Sequence, residues 1–294
     1  MAITLGGGGS ASQVNEVVIL NNSANVVTLA DGRVYLKAGV FEDDLSVYPD
    51  ASTSKALVST FSTAASAVDP TGITWDGTSF WVVGGTYGNK NVVEYNTAGV
   101  EQSSFDVSST HNDPEDIVWD GSYLWVLGDG QNKVTKWSTG GVYQNVEFSV
   151  GGQETSAKAL TWDGTHFWVI GYQNRKAFKY NSSGVYQNVS FSVSVRDSQP
   201  TGITWDGTYF WVTGVVSDAV HKYSSAGVYQ GESFSTVPYT SPQGLTWDGS
   251  DFWMVDAGDD SGGKFGLANG IHEITSNQSA NGVELGGTVY TRVK

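Results

Sequence analysis

The sequence predicts an all-β fold, a β-propeller of four-stranded antiparallel blades, and three observations carry that expectation. Asp-Gly glycines recur at Gly77, Gly121, Gly164, Gly207 and Gly249, spaced 44, 43, 43 and 42 residues apart. Each period holds four strand-like runs, the pattern of a propeller blade. Only 15% of residues are charged, against 37 glycines and 11 tryptophans, which suits short strands and tight turns better than helices.

The copy over residues 198–239 shows the elements in order. "TGITW" is the first strand, "YFWVTG" the second, "AVHKYS" the third and "VYQGESFS" the fourth. Asp206-Gly207 joins the first two as a hairpin in which both turn positions favour φ > 0. "SSAG", ending at Gly227, joins the last two, and "NTAG", "STGG" and "NSSG" are its counterparts.

Upstream, Asp31-Gly32 precedes Gly77 by 45 residues, and Gly39, Tyr48 and Phe61 keep the register of the later copies. The preferred arrangement is therefore six blades, at about 25–66, 67–110, 111–155, 156–197, 198–239 and 240–294, behind an attachment segment, 1–24. The alternative is five blades, in which residues 1–56 stand apart and a strand near Leu57–Ser62 closes the ring. Closure matters because each blade buries its faces only against neighbours.

Composition narrows the partners. A formal net charge of −15 leaves no basic cluster for a phosphate backbone, so nucleic acid is excluded as a partner. The absence of cysteine excludes disulfides, thiolate metal sites and a cysteine nucleophile. No apolar run approaches the length of a membrane-spanning helix, so no membrane insertion is expected. The start shows neither the basic nor the apolar part of a secretory signal. The Asn-x-Ser sequons at Asn21, Asn181, Asn188 and Asn277 are accordingly taken as chance.

The repeated Trp-Asp-Gly motif reads as scaffold. Its aromatics bury large areas between blades, and each indole N–H needs an acceptor that strand carbonyls or the turn aspartate can supply. The rim bearing the Asp-Gly turns repeats almost verbatim. The opposite rim, made of the second-to-third and blade-to-blade connections, varies from copy to copy, and loops on a rigid frame are where recognition is placed.

The expected ligand-binding residues lie on that variable rim: Tyr87, Asn89, Lys90, Asp129, Gln131, Asn132, Tyr172, Gln173, Asn174, Arg175, Asp197, Asp218 and Tyr239. Amides, carboxylates and tyrosines suit sugar hydroxyls and ring faces. The carboxylates of Asp113, Glu115 and Asp116 could pair across the rim. None of His111, His166, His221 and His272 falls in a catalytic motif, and no HExxH, GxSxG or P-loop occurs. No catalytic residue is assigned and the chain is expected not to be an enzyme. "DAGDDSGG" offers Asp256, Asp259 and Asp260 as a weak Ca²⁺ site, although its spacing departs from an EF-hand. No other cofactor is expected.

Two resemblances add to these readings. "P-x-G-I-T-W-D-G-x-x-F-W-V", followed by "K-Y" and "G-V-Y", is similar to propellers with NHL-type or Trp-Asp-Gly repeats, over roughly residues 70–294. The opening "MAITLGGGGSASQVNEVVIL", with "DGRVYLKAGVFEDDLSVYPDA" and the final "VYTRVK", resembles bacteriophage virion structural proteins of the tail-fibre, appendage or decoration type. That resemblance implies attachment to other virion proteins through the N-terminal segment and assembly in the host cytoplasm. It also implies display on the virion for adhesion to a host-surface glycan, a receptor or a neighbouring virion protein. A homo-oligomer is expected with it, although no heptad repeat supports a coiled-coil trimeriser. The other functions weighed are a soluble propeller enzyme acting on polysaccharide and a purely structural virion subunit.

Overall fold

In the computed structural model of the chain, the four strand-like runs of each period pair as one antiparallel sheet. The structure describes residues 55–84 and 90–267, and in the remainder the strands 13–14, 17–18, 26–28, 34–37, 271–272, 276–277, 282–285 and 288–292. The chain divides into two units, one of residues 55–266 and one of residues 1–54 with 267–294.

The first of these is a five-bladed propeller. Blade 1 runs Pro70–Trp75, Phe80–Gly84, Asn91–Tyr95 and Glu101–Asp106, from the axis outwards. Blade 2 follows as Pro114–Trp119, Leu124–Gly128, Lys133–Trp137 and Tyr143–Ser149. Blade 3 is Ala157–Trp162, His166–Gly171, Lys176–Asn181 and Tyr186–Ser192. Blade 4 is Pro200–Trp205, Tyr209–Gly214, Ala219–Ser224 and Tyr229–Ser235. Blade 5 takes Pro242–Trp247, Phe252–Asp256 and Ser261–Leu267, and its fourth strand is Lys55–Ser62 from the other end of the unit.

The preferred six-blade arrangement is thereby corrected to the five-blade alternative. Residues 25–66 do not form one sheet. Lys55–Ser62 completes blade 5, whereas Val26–Thr28 and Val34–Lys37 join Gly282–Leu285 and Thr288–Arg292 in a separate four-stranded sheet. Phe61 keeps the fourth-strand landmark because it is a fourth strand, but of the last blade rather than of a first one. Without that strand, Phe265 and the third strand of blade 5 would carry an open edge. Tyr48 and Gly39 lie outside the described residues.

The core consists of five seams between neighbouring blades rather than one central mass. The second-strand tryptophan of one blade meets the next blade's aromatics: Trp125 packs edge-on to Phe167, Trp168 to Phe210, and Trp211 lies tilted against Phe252. Trp253 of blade 5 continues this pattern onto Phe80 of blade 1, with ring centroids 4.4 Å apart, and the ring closes. Each such aromatic removes roughly 150–250 Å² from water. The glycine of each third-to-fourth turn packs on the phenylalanine of the preceding blade. At Gly184 (φ +76°) a Cβ would overlap Phe148, so both backbone conformation and space demand glycine there.

Candidate functional site

The constant rim is chemically saturated from within. In every Trp-Asp-Gly turn one aspartate oxygen accepts two backbone N–H groups, as Asp206 Oδ1 does from Thr208 and Tyr209 (2.8 and 2.7 Å). The other accepts the indole N–H of the second-strand tryptophan: Asp76 from Trp81, Asp120 from Trp125, Asp163 from Trp168, Asp206 from Trp211 and Asp248 from Trp253, at 2.6–2.8 Å. The turn is a four-residue loop, closed by the N–H of Asp206 on Tyr209 O, and only its glycine has positive φ, not both central residues. Lysines of the third strands cover the tryptophan faces, Lys222 Nζ lying 5.1 Å from Trp211 and 4.2 Å from Tyr209. Each turn aspartate thus serves the turn and the indole, so the motif is scaffold.

The variable rim sorts the expected residues into groups. Gln131, Gln173, Asn174, Arg175 and Asp218 are exposed, while Lys90, Asn132, Asp129 and Tyr172 are half-buried. Tyr87 and Asn89 lie outside the described residues. Asp197 and Tyr239 are buried and serve the frame. Asp197 accepts the N–H groups of Gln199 (2.6 Å) and Ser217 (2.8 Å), tying two connections together. Glu154 does the same one blade earlier for Ser156, Gln173 and Asn174. Asp256 accepts from Ser241, Gly258 and Asp259, and Asp260 from Asp69. Those carboxylates are used by backbone N–H groups; Asp259 is exposed.

Among the described residues, the acidic group whose oxygens converge is a different one. Asp113, Glu115 and Asp129 bring carboxylate oxygens within 4.8 Å of one another at the variable-rim end of blade 2. Proline at position 114 starts the inner strand and sets Glu115 as its second residue; Asp113 precedes it, and Asp129 follows the second strand. Lys158, the second residue of the inner strand of blade 3, reaches into this group. Its ammonium contacts Glu115 Oε1 and lies 3.2 Å from Asp129 Oδ2, and it sits 5.4 Å from the centroid of Tyr172. The trio has the oxygen donors that a divalent cation takes, with Lys158 already paired to two of the three.

Electrostatics set this mouth apart. Burial pushes the Glu115 carboxyl up to about 7 against the pull of the Lys158 ammonium, with Asp113 and Asp129 adding repulsion. Burial works against the Lys158 ammonium, but Glu115 and Asp129 outweigh it and hold the proton more tightly than usual. Tyr172 is raised by burial, partly offset by Lys158. Asp116, next to Glu115, is held well above the usual carboxylate range by its complete burial. A carboxyl that changes charge near neutrality beside a fixed ammonium can accept and return a proton.

Asp129 and Tyr172 were expected at a site; Asp113, Glu115 and Asp116 were weighed only as rim carboxylates that could pair. Lys158 was missed. Its signal is a break in the repeat: the second and third inner-strand positions read Thr-Gly, Glu-Asp, Lys-Ala, Thr-Gly and Gln-Gly around the ring.

No protein-family model matches the chain, and no curated protein sequence matches it. Solved structures do. Glutaminyl cyclase of Myxococcus xanthus is 11% identical with a TM-score of 0.56, covering 72% of this chain and 95% of its own. Virginiamycin B lyase of Staphylococcus aureus is 15% identical with a TM-score of 0.45, covering 90% and 94%. The cyclase likeness shows the fold and nothing finer. It nevertheless overturns the expectation that the chain is not an enzyme, because a fold shared with a cyclase is one that houses catalysis. The absence of familiar motifs had carried that expectation, and motifs do not travel between unrelated sites on one fold.

Proposed function

We propose that the mouth between blades 2 and 3 engages a hydroxyl-rich, saccharide-type ligand, and that Glu115 acts on it as acid and base beside the fixed charge of Lys158. The observation that carries this reading is the buried Glu115 carboxyl, pushed to about 7, in contact with the Lys158 ammonium. Asp113 and Asp129 accept hydroxyl protons, and the Tyr172 ring offers an apolar face to a sugar. Ionised Glu115 takes a proton from a water as that water's oxygen bonds to the anomeric carbon and the glycosidic C–O bond breaks. Lys158 steadies the negative charge on the departing oxygen, which then receives the proton back from Glu115. The substrate class is a polysaccharide.

The test is release of new chain ends from a panel of polysaccharides. Glu115→Gln abolishes turnover, Lys158→Met lowers it at least tenfold, and the rate carries a pH limb near 7. Turnover by Glu115→Gln equal to that of the unaltered chain would refute the assignment.

A second reading, display on a phage particle for adhesion, is favoured by how the propeller's ends leave it. Third strands run towards the constant rim, and Leu267 ends one; the neighbouring Lys55–Ser62 starts there. In blade 5 these two ends stand where blades 1–4 have a four-residue turn. Neither end of the propeller leaves from the variable rim, the rim that this reading assigns to a host glycan or virion partner. Immunogold labelling of purified particles tests it: label on the particle supports display, and label confined to the soluble fraction removes it.

A further inference from the structure

The seam between blades 2 and 3 is fastened differently from those between blades 1 and 2 and blades 4 and 5. In seams 1–2 and 4–5 the second inner-strand residue is a threonine whose hydroxyl donates across to the next blade. Thr71 donates to Pro114 O at 3.0 Å and Thr201 to Pro242 O at 2.7 Å. The third residue in both cases is glycine, Gly72 or Gly202, and the strands approach closely: a Cβ on Gly202 would press on Gln243 O.

At the seam between blades 2 and 3 the second position is Glu115, whose side chain turns to Lys158. No threonine hydroxyl crosses there. The third position is Asp116, fully buried, and its Oδ2 accepts the N–H of Leu160 in blade 3 at 2.7 Å while Oδ1 accepts that of Ile117 at 2.8 Å. Gly72 of blade 1 makes the room, since a Cβ there would overlap Asp116 Oδ1. A buried carboxylate is retained only where such donors meet it, and its loss leaves a buried N–H unpaired. Asp116 is one residue on from Glu115, and Leu160 two on from Lys158, so this bond sets the offset between the two strands where the pair meets.

We propose that Asp116 is a positioning residue: it takes over the cross-seam fastening that threonine supplies in blades 1 and 4, and so frees the second position for Glu115 and holds Glu115 against Lys158. The purpose of that pairing rests on the reading of the mouth given above, but the pairing itself does not. The charged groups facing Glu115 are Lys158, Asp113, Asp129 and Asp116 itself.

Two variants of the full chain test this without any ligand, so the saccharide reading can fail while this stands, and the reverse. Asp116→Gly loses roughly tenfold in folding equilibrium constant. The double variant Glu115→Thr with Asp116→Gly reproduces the Thr-Gly pair of blades 1 and 4 and regains most of that loss. A double-mutant cycle of Glu115→Gln with Lys158→Met then reads the pairing. Its coupling is present with Asp116 and lost with Asp116→Gly, whereas a merely structural aspartate leaves it unchanged. A double variant no more stable than Asp116→Gly, or an unchanged coupling, overturns the proposal. If Asp116→Gly does not fold, recovery of folding in the double variant supports it and failure to recover overturns it.

Discussion

A single aspartate in each turn holds three donors at once, and this explains why the Trp-Asp-Gly motif is copied so closely. Asp120 accepts from the N–H groups of Ser122 and Tyr123 and from the indole of Trp125. Replacing it with alanine strands the indole N–H of a buried tryptophan and two turn N–H groups. Asp120→Ala is expected to cost about 2 kcal/mol, read from the denaturant midpoint, and Asp206→Ala about the same because its bonds are the same. The turn aspartate was legible in the sequence as a possible indole partner, because the spacing between them never changes. Lys158 was not: a break in the repeat marks its position, but nothing in the sequence says what it meets until the fold sets it beside Glu115, 43 residues away and one blade over. The burial of Asp197 was equally hidden, since a frame carboxylate and a ligand carboxylate look alike in a loop.

The outer strands show how a propeller manages its exposed edges. Fourth strands bear an unpaired side, and three of them carry a residue of positive φ: Asn145 (56°), Asn188 (57°) and Gly231 (80°). Register shifts occur where these strands pair, between Thr135 and Trp137, Phe178 and Tyr180, and His221 and Tyr223. The bulge spoils the edge as a template for another chain. Asn188→Ala is expected to lose about 1 kcal/mol in denaturant unfolding and Asn188→Gly to lose none, because only the left-handed conformation is at issue. Blade 5 depends instead on its borrowed strand, where Phe61 packs against Tyr95, Phe80 and Trp253 across the closing seam. Phe61→Ala should therefore cost about 3 kcal/mol and broaden the unfolding transition as the ring opens. The sequence showed this strand as a Phe landmark in register. It left two recipients open, a first blade or the closing one, because pairing between distant segments leaves no trace in a local repeat.

Across the whole molecule, buried groups bias stability against pH in opposite directions, His111 and His221 one way and Glu115 and Asp116 the other. Burial lowers His111 to about 4; its Nε2 meets Thr135 Oγ1 at 2.7 Å, and Thr135 also accepts the indole N–H of Trp137. The unfolded chain protonates this histidine near 6.5 and the folded one only near 4, so stability falls as pH drops through that window, by up to roughly 3 kcal/mol. Glu115 does the reverse: the folded chain keeps its proton to about 7 while the unfolded chain releases it near 4.5, so stability falls as pH rises between them. From pH 4.5 to 6.5 the His111 and Glu115 contributions oppose each other in the pH profile of unfolding free energy, and each variant is read against the profile of the intact chain. His111→Leu should tilt it down with rising pH, and Glu115→Gln should tilt it up.

The propeller and its two unlike rims were legible because the repeat acts as a ruler. The choice of mouth was not, because it depends on which side chains meet across a seam. The most direct measurement is binding of a saccharide panel to the intact chain, to Glu115→Gln and to Val228→Ser, an exposed change on the constant rim. The account predicts that the intact chain and Val228→Ser engage the same saccharides, while Glu115→Gln loses at least tenfold. It is contradicted if Val228→Ser loses binding and Glu115→Gln keeps it, or if no saccharide is engaged at all.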